Sequence, residues 1–165
     1  MKKISLLFLI SVAIFSCSQD SNTNENLQTQ IDSLQSQVDN AYKPGLGEFM
    51  SGIQVHHEKL WFAGTAKNWR LADFEIHEIM EAVDDIKTYA SDRPEVKNLV
   101  MLQPAIDSVN NSIQQKDVAS FKRNFLTLTN TCNNCHQSVN YDFNKIKIPD
   151  TPPFSNQVFK IDSGK

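Results

Sequence analysis

Apolar residues recur at helical spacing along most of the chain between residues 44 and 140. Phe49, Met50, Ile53, His57, Leu60 and Trp61 share one face of a first helix, and Gly64 offers it a stop. Trp69, Ala72, Ile76, Ile79, Val83 and Ile86 stripe a second helix whose other sides are acidic. The run "SDRP" at residues 91–94 caps and opens a third, with Pro94 acceptable in a first turn. Its face is Val96, Leu99, Leu102, Ile106, Val109 and Ile113, and Pro104 inside it predicts a kink or a broken start. Asp117 is an N-cap for a fourth helix, whose stripe runs Val118, Phe121, Phe125, Leu128, Cys132, Cys135. No segment longer than four residues alternates as a strand would. Four helices of about 18 to 24 residues with short connections predict an all-α, antiparallel up-down-up-down four-helix bundle over residues 44–140.

The flanks read differently. Leu27, Ile31, Leu34, Val38 and Ala41 alternate spacings of four and three, the a and d positions of a short heptad helix over residues 27–43. Two heptads are marginal alone in water, so this face needs a partner: a second copy of the chain, giving a homo-oligomer, or the domain itself. Lys43, Pro44, Gly45 and Gly47 break the pattern. The segment 141–165 carries Pro149, Pro152 and Pro153 and is expected to be an extended tail draped over the helices.

The N-terminus changes the picture of where the protein works. Lys2 and Lys3 precede an apolar run from Ile4 to Phe15, shorter than the about 20 residues that span a bilayer, so residues 1–16 read as a secretion signal. The string "IFSC" ending at Cys17 resembles the lipobox of bacterial lipoproteins. That resemblance implies a lipidated Cys17 as the first mature residue and an exported chain, anchored by lipid on the periplasmic side of a bacterial membrane. Several acyl chains would hold it there firmly where one would not. Residues 17–26, polar throughout after the cysteine, read as a tether.

Charge and cysteine count then narrow the chemistry. Losing Lys2 and Lys3, with no acid lost beside them, takes the formal charge from −3 to −5. A mildly acidic chain with no basic cluster gives nucleic-acid binding no support. Of three cysteines, one spent on lipid leaves Cys132 and Cys135, which an oxidising compartment would pair or commit to a cofactor.

Those two stand in "CNNCH", with His136 directly after the second. Two thiols three apart near the end of a helix can each form a thioether to one vinyl group of the same haem, with the imidazole under the iron, and the string is the signature of c-type haem attachment. A thioredoxin-like dithiol would sit at a helix N-terminus, where the dipole depresses a thiol pKa, whereas this motif lies about four turns into a helix. Structural zinc would ask for four ligands and a second pair. A disulfide between residues three apart would be strained and would leave His136 unexplained.

In its four helices and the place of this motif near the end of the last, the chain resembles cytochrome c′ and its low-spin relatives. The resemblance implies one covalent haem c held by Cys132 and Cys135, with His136 as proximal iron ligand. It also implies a sixth ligand where the low-spin relatives carry a methionine, near the start of the first helix. Met50 stands there, about one turn in and facing inward. His57 is the rival, about 10 Å deeper along the axis. Phe49, Ile53, Phe125 and Leu128 are the expected pocket. A filled sixth site suits a single-electron carrier serving a redox partner protein; an open one suits binding of nitric oxide or carbon monoxide. A haem-free lipoprotein interaction module built on the heptad helix is the third reading. His77, among Glu75, Glu78 and Glu81, and the Asp84–Asp85 pair are expected on a solvated face. No Glu-x-x-His pair suggests a di-iron site, and no base, nucleophile or substrate pocket argues for an enzyme.

Overall fold

The computed structural model describes residues 20–161, so the signal segment and Cys17 lie outside the described residues. Among the described residues the regular structure is helical throughout, with no strand. The chain divides into two compact units between Lys43 and Pro44.

The first unit contains α1, Asp20–Asp39. It starts seven residues before Leu27 and takes in most of the stretch expected to be a tether. Polar side chains one turn apart sustain it: Gln30 Nε2 donates to Asn26 Oδ1 and Gln28 Nε2 to Asp32 Oδ1, each at 2.8 Å. The stripe Leu27, Ile31, Leu34, Val38 is 51–60% exposed.

The second unit holds α2 (Leu46–Thr65), α3 (Trp69–Tyr89), a 3-10 helix (Pro94–Met101), α4 (Gln103–Gln114) and α5 (Val118–Ser138). The third stripe is therefore split. Pro104 lacks the N–H a continuous helix needs, and its ring would strike the carbonyl four residues back, so the α-helix starts afresh with Pro104 in its first turn. The result is a 12-residue α4, shorter than expected, beside helices of 20 and 21 residues. Asp117 Oδ1 caps α5 by accepting from the backbone N–H of Ala119 and Ser120.

Helix α2 packs on α3, α3 on α4, α4 on α5 and α5 back on α2. Between them lie Leu60, Ile76, Ile86, Ile106, Val109, Ile113, Phe121, Phe125 and Leu128, all 2% exposed or less. Gly64 sits where a Cβ would collide with the ring of Phe121, so the absence of a side chain there lets α5 approach α2.

From Tyr141 the chain is irregular. Ile146 pairs with Asn133 near the end of α5; further on Phe154 lies under Lys59 Nζ, 5.3 Å from the ring centroid. Phe159 is buried against Phe62, and its carbonyl accepts from Asn68 Nδ2 at 3.1 Å. The tail thus starts beside the end of α5 and by Phe159 has reached the turn between α2 and α3.

Candidate functional site at the end of helix α5

Cys132, Cys135 and His136 occupy the last two turns of α5. Cys135 is buried against the 3-10 helix, its Sγ 3.8 Å from the carbonyl oxygen of Asn98; Cys132 is partly buried, and both thiols are free. Burial, with the neighbouring Cys135 adding to it, pushes the Cys132 thiol up to about 12, and burial raises Cys135 as well. A redox-active dithiol needs the opposite shift.

His136 is fixed by the tail. Its Nδ1 lies 2.6 Å from the carbonyl oxygen of Asn144. A carbonyl only accepts, so Nδ1 carries the proton and Nε2 of the neutral ring keeps its lone pair. Two further ties hold that carbonyl in place. Asn133, inside the motif, donates from Nδ2 to the Ile146 carbonyl and accepts from its N–H, both at 2.8 Å. The Tyr141 N–H closes on the His136 carbonyl at 2.8 Å, across a turn in which Asn140 takes φ 63°, a conformation asparagine tolerates.

Helix α2 faces this helix in antiparallel register. His57 Nε2 is 2.9 Å from Thr129 Oγ1, the Trp61 and Phe125 rings are 5.0 Å apart, and Gly64 meets Phe121. Each step of four residues along α2 is a step of about four back along α5. Continued two turns back from His57 at 1.5 Å per residue, the same register would set Met50 level with His136. Met50, Phe49 and Ile53 are partly buried and pack on the core, whereas Phe125 and Leu128 lie fully inside it. The four expected pocket residues therefore split into a half-open pair on α2 and a closed pair on α5.

His57 is 3% exposed. Thr129 spends its one hydroxyl proton on the Phe125 carbonyl, so it can only accept from His57, and Nε2 of His57 carries its proton. Burial lowers this imidazole to about 4.

The acidic face holds one departure from expectation. Glu78 is half-buried, and Glu81, Asp84, Asp85 and His77 are exposed, but Glu75 is completely buried. Its Oε2 lies 2.7 Å from His56 Nδ1, while Oε1 has no hydrogen-bond partner and Lys59 Nζ stands 3.9 Å away. The signal was in the pattern: Glu75 falls three residues after Ala72 and four before Ile79, inside the stripe. Asn133, which lies between the cysteines, is the other residue whose role the sequence did not reveal.

Two free thiols one turn apart, beside an imidazole whose Nδ1 donates to a backbone carbonyl, are a donor set that can clamp a haem and ligate its iron. Among the described residues no three His, Cys, Asp or Glu side chains gather around a common metal position, and no helix is long and apolar enough to cross a membrane. An iron already held by a porphyrin needs only axial donors from the protein. No family model, curated protein or solved structure matches the chain.

Proposed function

We propose that this protein is a monohaem c-type cytochrome, a single-electron carrier tethered through Cys17 on the periplasmic side of a bacterial membrane, with its helices arranged as an up-down-up-down four-helix bundle. The observation that carries this reading is the hydrogen bond from His136 Nδ1 to the Asn144 carbonyl. It leaves Nε2 as the ligating nitrogen and makes the imidazole a stronger donor, the usual arrangement behind a metal-bound histidine. Cys132 and Cys135 would hold the haem by thioethers and His136 would be its proximal ligand. The haem, when bound, supplies a one-electron iron couple.

Met50 is the sixth ligand in this proposal. Its support is the α2–α5 register, and a second support is that His57 already commits its Nε2 proton to Thr129. Phe49 and Ile53 give the near side an apolar wall that keeps water from the site. Electrons would pass to and from a partner protein.

The test is an absorption spectrum of protein matured with haem, oxidised and reduced, with and without carbon monoxide. A sharp low-spin α band that ignores carbon monoxide supports the proposal. A broad high-spin spectrum that shifts with carbon monoxide replaces the carrier with a gas-binding protein. Absence of covalent haem leaves the interaction module.

A further inference from the structure

At the turns opposite His136 lies a cleft of about 400 Å³ lined by Lys67, Asn68, Trp69, Arg70, Asp73, Ile113, Gln114 and Lys116, among others. It joins the α2–α3 turn to the α4–α5 turn. Three cations border it, and none has an acidic partner among the described residues. The one acid lining it, Asp73, accepts from Gln114 Nε2 at 2.6 Å. In a chain of net charge −3, this is a local excess of positive charge.

Two of the three cations are held in a costly backbone conformation. Among the described residues only Lys67 (φ 61°), Lys116 (φ 56°) and Asn140 take positive φ without being glycine. Asparagine tolerates that region; lysine does not favour it. Each lysine follows a helix end closed by paired backbone bonds. Lys67 N–H meets Gly64 O and Asn68 N–H meets Ala63 O; Lys116 N–H meets Ile113 O and Asp117 N–H meets Ser112 O. Glycine is the residue such turns ordinarily take. Strain at two matched positions bordering one cleft points to use of the side chains rather than of the backbone.

We infer that this cleft, lined by Lys67, Arg70 and Lys116 with Trp69, binds a phosphate-bearing anion. The guanidinium and two ammonium groups match the multiple charge and fork geometry of a phosphate. The Trp69 indole offers an apolar wall to the group that carries it. The same chemistry is presented by a free phosphate compound and by an anionic lipid headgroup.

The experiment compares the full chain with the double variant Lys67→Gly, Lys116→Gly. Glycine removes both charges and relieves both strained positions, so the variant should fold at least as stably as the parent. Calorimetric titration with inorganic phosphate at low salt is expected to show saturable one-to-one binding, weakened at least tenfold in the variant. If phosphate alone does not bind, retention on phosphatidylglycerol vesicles over phosphatidylcholine vesicles, lower for the variant than for the parent, assigns the headgroup as the source. Equal behaviour of parent and variant toward both probes overturns the inference. Neither readout depends on haem.

Discussion

His57 Nε2 donates to Thr129 Oγ1 across 2.9 Å, and this single neutral bond joins α2 to α5 inside the core. Burial holds the His57 ring at about 4, below its ordinary 6.5. Between those values the unfolded chain takes up a proton here that the folded chain refuses. Stability from this group is therefore whole above about pH 6.5, falls as pH drops toward 4, and is flat below, a loss of up to about 3 kcal/mol. Urea denaturation of parent and His57→Gln across that window should show the parent falling more steeply.

The thiols should be slow nucleophiles. With Cys132 pushed up to about 12 and Cys135 also raised, iodoacetamide at pH 8 should modify the haem-free folded chain at least about tenfold more slowly than the same chain in urea, where both thiols ionise near 8.5. Comparable rates, followed by mass spectrometry, would restore the dithiol reading.

Met50→Ala in the haem-loaded protein should convert a low-spin spectrum to a high-spin one and open the iron to carbon monoxide. An unchanged spectrum removes Met50 as ligand. The companion His57→Gln should leave the spin state alone.

Gly64→Ala should drive a methyl group into the Phe121 ring. Helix propensity alone favours the change, so a lower Tm isolates the collision, with a cost of about 1–3 kcal/mol. The double variant Gly64→Ala, Phe121→Leu should recover part of it.

Asn133→Ala breaks both bonds to Ile146 and frees the segment that offers its carbonyl to His136. Faster protease cleavage between residues 141 and 150 is expected. In the haem protein a less electron-rich imidazole should also raise the reduction potential.

The helical stripes were legible because burial imposes a period on the sequence that polar positions cannot mimic. Leu60, Ile76, Val83, Ile106 and Phe125 all lie inside. Pro104 announced its own break, because a missing N–H is a local fact. Helix α1 began earlier than its apolar stripe, since side-chain bonds between neighbouring turns extend a helix without leaving an apolar signature. Glu75 was hidden by its charge: a carboxylate at a stripe position was read as an outer face, when His56 and Lys59 from the preceding helix receive it. For the motif, spacing named Cys132, Cys135 and His136, but no local rule could foretell that a carbonyl eight residues on would choose the tautomer of His136.

The tail also sets an order of events. Residues 144–146 fasten the ring of His136 and the side chain of Asn133, and they follow both in the chain, so during synthesis the motif is made before its clasp is. Until Phe159 finds its place between Phe62 and Asn68, the clasp has no far anchor. The end of α5 is thus open early and closed late, and what closes it is anchored at the turn between α2 and α3.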